Sequence, residues 1–222
     1  MLDIIKNKLI VSCQALEDEP LHSPFVMGKM ASAAKEGGAV AIRAQGVEDI
    51  KEIKKATSLP VVGIIKRNYK DSEIYITPTK KEIDELLTTG CEMIAIDATN
   101  RKRPNNENLK DLIDYIKSKN ILIMADISNY EEGVNAQELG VDCISTTLSG
   151  YTSYTKSIDG PDFELMRTLV ENLHIPIVAE GRINTPQDLQ EAYKTGVYSA
   201  VVGSAITRPQ IITAKFANAI NI

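Results

Sequence analysis

Few side chains can take a proton from carbon near neutral pH, and one of them stands in an unusual setting here. The run Val61-Val62-Gly63-Ile64-Ile65 ends on Lys66 and Arg67. A lysine leaving an apolar run is poorly hydrated, and desolvation with nearby cations such as Arg43 or Arg67 lowers its pKa until the neutral amine can serve as a base. Glu180, at the end of Val178-Ala179-Glu180, is a second proton carrier. Its carboxylate pulls a neighbouring lysine the opposite way, so the two are expected to share a proton or to divide two transfers between them. Gln14, Arg43, Asp97, Asp126, Thr146 and Thr147 end similar apolar runs. Together they form a dense ring of polar and charged groups at the strand ends, suited to acid–base chemistry.

Two glycine turns point to phosphate. In Glu180-Gly181-Arg182 and Val202-Gly203-Ser204, glycine lets backbone N–H groups approach an anion, and the N-terminus of a short following helix adds partial positive charge. Arg182 or Arg208 can add a charge-assisted contact. Other chemistries find less support. His22 and His174 have no ligand-spaced companion, and Cys13, Cys91 and Cys143 are odd in number and widely spaced. No metal site, disulfide framework or histidine triad is therefore expected, and the cysteines read as small buried hydrophobes.

The elements that must position these groups repeat one phrase: a short apolar strand, then a longer amphipathic helix. Strands are expected over 9–15, 39–44, 60–67, 93–98, 122–127, 143–147, 176–181 and 200–205. Helices are expected over 26–36, 47–57, 79–89, 107–118, 130–139, 161–172, 185–195 and 208–220. Thr185-Pro186 and Arg208-Pro209 mark helix starts, and Gly37, Gly90, Gly140 and Gly196 mark ends in the left-handed conformation. Strands this apolar belong in a parallel sheet covered on both faces. Eight βα units in succession predict a single (β/α)8 barrel over 1–222, with phosphate loops after strands seven and eight and the active site at the C-terminal strand ends. A doubly wound open sheet is the alternative, but Ser12-Cys13-Gln14-Ala15-Leu16 lacks the glycine fingerprint expected after its first strand.

The chain has 222 residues, 43% of them hydrophobic, and a formal net charge of -5, so there is no basic surplus to neutralise a run of nucleic-acid phosphates. No apolar run approaches membrane-spanning length, and the N-terminus lacks the apolar core of a signal peptide, so the expected location is the cytoplasm, without membrane or nucleic-acid partners. The apolar stretch 211–222 suggests a packed or shared last helix and a homodimer.

The segments Ile10-Val11-Ser12-Cys13-Gln14-Ala15, Gly63-Ile64-Ile65-Lys66-Arg67, Met124-Ala125-Asp126-Ile127, Ala179-Glu180-Gly181-Arg182 and Val202-Gly203-Ser204-Ala205-Ile206-Thr207-Arg208-Pro209 carry a resemblance. With Thr146-Thr147-Leu148-Ser149-Gly150-Tyr151-Thr152-Ser153-Tyr154-Thr155, the most specific of them, they resemble the N-acetylmannosamine-6-phosphate 2-epimerases of bacterial sialic acid catabolism over nearly the whole chain. The resemblance implies interconversion of an amino-sugar phosphate and its C2 epimer without metal or organic cofactor. It also implies catalytic roles for Lys66 and Glu180, substrate contacts at Gln14, Arg43 and Asp126, and a phosphate grip at Gly181, Arg182, Gly203 and Ser204, with Arg208 as a further contact. Tyr154 lies in the hydroxyl-rich loop expected to close over the sugar. Two rivals remain at this point: a lyase forming a Schiff base at Lys66, and a non-catalytic sugar-phosphate sensor.

Overall fold

The structure, a computed structural model, describes residues 1–220. The last two residues of the apolar C-terminal stretch, Asn221 and Ile222, lie outside them. Eight strands, β1 (Leu9–Cys13), β2 (Ala41–Gln45), β3 (Val61–Ile64), β4 (Met93–Asp97), β5 (Leu122–Asp126), β6 (Cys143–Ser145), β7 (Ile177–Glu180) and β8 (Ser199–Val202), pair in parallel in chain order. β8 returns to pair with β1, which closes the sheet into a barrel and excludes the open-sheet alternative.

Around it run α2 (Pro24–Glu36), α3 (Val47–Thr57), α4 (Lys80–Leu87), α5 (Leu109–Lys117), α6 (Tyr130–Glu138), α7 (Phe163–Asn172), α8 (Pro186–Lys194) and α10 (Pro209–Asn218). α8 starts as its sequence predicts: Thr185 accepts from the Asp188 N–H at 3.0 Å, and the Asp188 carboxylate accepts from the Thr185 N–H at 2.9 Å. At the end of α2 the expectation fails, because Gly37 is right-handed and Gly38 takes the positive φ of 102°. Either glycine can do so without a Cβ penalty, so the left-handed turn falls one residue later although the helix ends at Glu36 as expected.

Period-two alternation explains both layers of the core. Ile10, Ala41, Val62, Ile64, Met93, Ala95, Met124, Cys143, Val178 and Val201 pack together inside the barrel. Their neighbours Val11, Ile42, Val61, Ile94, Ile123, Ile144 and Ile177 pack outward under the helices. A short helix that the sequence did not announce, α1 (Leu2–Ile5), contributes the fully buried Ile5 to the inner cluster.

Every strand but β2 ends earlier than expected, β1, β3, β6 and β8 by two or three residues. β3 stops at Ile64, after which Lys66 pairs antiparallel with Ile76 in the loop that returns towards α4. β6 stops at Ser145 and β8 at Val202. After β8, Gly203 leads into the short helix α9 (Ser204–Thr207). The apolar letters continue, but the parallel ladder ends where the chain leaves the sheet to line the mouth.

Candidate active site

Carried past the inner apolar layer, the same alternation turns Ser12, Arg43, Asp126, Ser145 and Glu180 into the barrel at its C-terminal end. Ser12, Arg43 and Glu180, with others from the loops, line a cavity of about 340 Å³ together with Gln14, Lys66, Gly203 and Arg208.

Arg43 is the fixed centre, only 1% exposed. Its Nη1 donates to Asp126 Oδ1 at 2.9 Å and to Glu180 Oε2 at 3.0 Å, and its Nη2 donates to Asp126 Oδ2 at 2.6 Å. Burial alone would lower its pKa, but the two carboxylates outweigh it and keep the guanidinium charged.

Glu180 Oε2 also accepts from Ser145 Oγ at 3.1 Å and Thr147 Oγ1 at 3.0 Å, which leaves Oε1 without a partner among the described residues. Burial raises the Glu180 pKa above the usual carboxylate range; Arg43 opposes this and Asp126 adds to it. A carboxyl group with one oxygen pinned by three donors and the other free is oriented to carry a proton.

Lys66 is half-buried, and among the described residues its Nζ has no hydrogen bond or ion pair. Burial lowers its pKa to about 8, helped by Arg43 and Arg208 and opposed by Glu180 and Glu19. The expected contribution from Arg67 is replaced by one from Arg208. Arg67 is one residue out of phase, so it points to the helix layer and pairs with Glu82 and Glu85 of α4.

Asp126, expected to touch substrate, does not line the cavity. It is fully buried, and its oxygens are taken by Arg43 and by Thr147 Oγ1 at 2.8 Å. Tyr154 is also outside the cavity wall: its hydroxyl donates to Glu132 Oε1 at 2.5 Å, and Tyr151 lines the wall instead. Gln14 keeps its place, its Nε2 donating to Ser12 Oγ at 2.7 Å.

At the far end of the cavity, Gly181, Arg182, Gly203, Ser204 and Arg208 line one wall together. Arg208 Nη2 donates to Glu19 Oε2 at 2.9 Å. Ser12, Tyr75, Asn184, Thr147 and Thr207 complete the polar part of the lining. Thr147 is among the polar strand ends expected from the sequence, and strand parity could have found Ser12. Tyr75 comes back into the cavity only because of the loop after β3, and no local signal announces it.

Residues 27–222 match a family model described as "Putative N-acetylmannosamine-6-phosphate epimerase". The chain belongs to this family. A protein of Clostridioides difficile that bears the corresponding 2-epimerase name is 73% identical over the full length of both chains. One from Oceanobacillus iheyensis is 58% identical over 97% of this chain and 99% of its own. The solved N-acetylmannosamine-6-phosphate 2-epimerase of Clostridium perfringens is 66% identical and superposes with a TM-score of 0.98 over 99% of this chain and 96% of its own. A thiamine phosphate pyrophosphorylase from Pyrococcus furiosus, 22% identical over 90% of this chain and 87% of its own at a TM-score of 0.61, shares the fold alone.

Among the described residues, no group of three or more histidine, cysteine, aspartate and glutamate side chains is arranged to hold a metal ion. No helix among them is long and apolar enough to cross a membrane.

Proposed function

We propose that the chain interconverts N-acetylmannosamine 6-phosphate and N-acetylglucosamine 6-phosphate by removing and returning the C2 proton of the open-chain sugar. The observation that carries this reading is the pairing of a partnerless Lys66, its pKa near 8, with Glu180 and the immobile Arg43, in one cavity with two glycine loops. About a tenth of Lys66 is neutral at pH 7. Neutral Nζ takes the C2 proton, the C–H electron pair moves into the C1–C2 bond, and the carbonyl electrons move to O1 to give the enolate of the 2-acetamido aldehyde. Arg43 sets a permanent positive charge against the oxyanion at no reorganisation cost.

Turnover needs a second proton position, for ring opening and for return to C2, and Glu180 Oε1 supplies it. Gln14 offers an amide to the enolate oxygen or the acetamido group. Asp126 acts one step back, by holding Arg43 in a bidentate grip. The phosphoryl group is read by Gly203, Ser204, Gly181 and Arg208. The family favours neither the Schiff-base lyase nor the non-catalytic sensor.

We further propose that the chain is one barrel domain, works in the cytoplasm and forms a homodimer through α10. That helix buries none of its residues and leaves Phe216 75% exposed.

Proton NMR of the protein with N-acetylmannosamine 6-phosphate in deuterated water tests the activity. The expected result is the gluco epimer with deuterium at C2. Folded protein that gives neither epimer nor exchange rejects the reading.

A further inference from the structure

The loop between β6 and α7 is fastened over the cavity by a residue the proposed chemistry leaves unused in this capacity. Arg182, itself in the left-handed region with φ 55°, donates through Nη1 to the carbonyl of Ser149 at 2.7 Å and through Nη2 to that of Gly150 at 3.0 Å. Its guanidinium also stacks on the Tyr151 ring, 4.1 Å from the centroid. Gly150 makes the approach possible: its φ is 71°, and a Cβ there would lie 2.6 Å from Arg182 Nη2. Ser149 is anchored in turn, its Oγ donating to Asp162 Oδ2 at 2.6 Å. Tyr151 lines the cavity beside Gly203, Ser204 and Arg208.

A planar fork that meets two successive carbonyls and an aromatic face together is a fit that only arginine makes. We propose that Arg182 is a positioning residue that holds Tyr151 as the cavity wall against the sugar, next to the phosphate grip, and is not itself a phosphate ligand. The proposal rests on the epimerase reading of the cavity.

The test compares Arg182→Ala, Tyr151→Ala, their double variant and Arg182→Lys with the unaltered chain. It reads kcat and KM on N-acetylmannosamine 6-phosphate, inhibition by inorganic phosphate, and trypsin nicking after Lys156, exposed in the same loop. Each alanine variant is expected to raise KM about tenfold while kcat stays within about threefold. The double variant should be no worse than the weaker single, because both remove one contact. Phosphate inhibition should stay within about twofold throughout, by the same reading of kinetic constants as free energies. Nicking after Lys156 should speed up in both single variants, and Arg182→Lys should behave like Arg182→Ala.

Phosphate inhibition lost in Arg182→Ala and kept in Tyr151→Ala would make the guanidinium a direct ligand and overturn the proposal. Additive losses, or an Arg182→Lys variant indistinguishable from the unaltered chain, would also overturn it. If the unaltered chain turns nothing over, the epimerase reading falls by itself; nicking rates then decide the clamp, and equal rates reject it.

Discussion

In the proposed mechanism Lys66 takes a proton only while unprotonated, so its lowered pKa fixes the direction of the pH response. With a value of about 8, kcat/KM should climb about tenfold per pH unit up to neutrality and level off above pH 8; a flat profile from pH 6 to 9 would remove Lys66 from the base role. The same shift affects stability. Between pH 8 and 10.5 the unfolded chain holds the extra proton, so stability rises with pH across that window, and below pH 8 the folded state bears the full cost of the buried charge. Lys66→Met should therefore abolish turnover yet gain about 2 kcal/mol at pH 7, a figure discounted for partial exposure, and most of that gain should vanish by pH 10. Urea denaturation at both pH values reads it. Asp126→Asn should act in the opposite sense, costing about 3 kcal/mol by leaving the Arg43 guanidinium under-compensated in the interior; calorimetry showing an unchanged melting temperature would refute this.

Lys66 was legible from its apolar run, and Glu180 from the strand end beside a glycine. Asp126 lies behind the cavity wall, which the sequence does not show, because strand parity says which way a side chain points, not whether another side chain lies between it and the cavity. Tyr154 and Tyr151 differ by three residues in a loop without periodicity, where only the fold decides which ring faces inward.

The strands place the chemistry to within a fraction of a side chain, and β3 shows how little room they have. Gly63 faces the helix layer, where a Cβ would meet Cys91 Sγ and Leu86 Cδ2 at 3.0 Å and Ile50 Cδ1 at 3.2 Å. Gly63→Ala should cost about 1–3 kcal/mol by overpacking, and it should lower kcat more than it raises KM, since the strand that shifts leads directly into Lys66. A variant with normal melting and normal kcat would show that α3 and α4 give way instead. Strand and helix order was readable because apolar runs and capping residues are local signals. The early end of β8 was not, because Ala205 and Ile206 are apolar in a helix as they would be in a strand.

The whole molecule carries a net charge of -5, yet Arg43, Lys66, Arg182 and Arg208 all line one cavity. An anionic substrate therefore finds a local positive field in an overall negative body, and its capture should weaken as salt rises. The last helix presents the opposite case, with Phe216 and Ile220 set in solvent. Phe216→Asp should shift sedimentation from dimer to monomer; a chain that sediments as a monomer before any substitution rejects the homodimer.

Closure of the barrel ties the first strand to the last. Thr207 Oγ1 donates to the carbonyl of Ser12 at 2.7 Å across 195 positions, and Arg208 reaches back to Glu19 across 189. On a ribosome that releases the chain from its N-terminus, Lys66 and Arg43 emerge long before the wall they need. No nascent fragment short of β8 possesses Gly203, Ser204 or Arg208, so the cavity wall is complete only once the last strand and the turn after it have emerged.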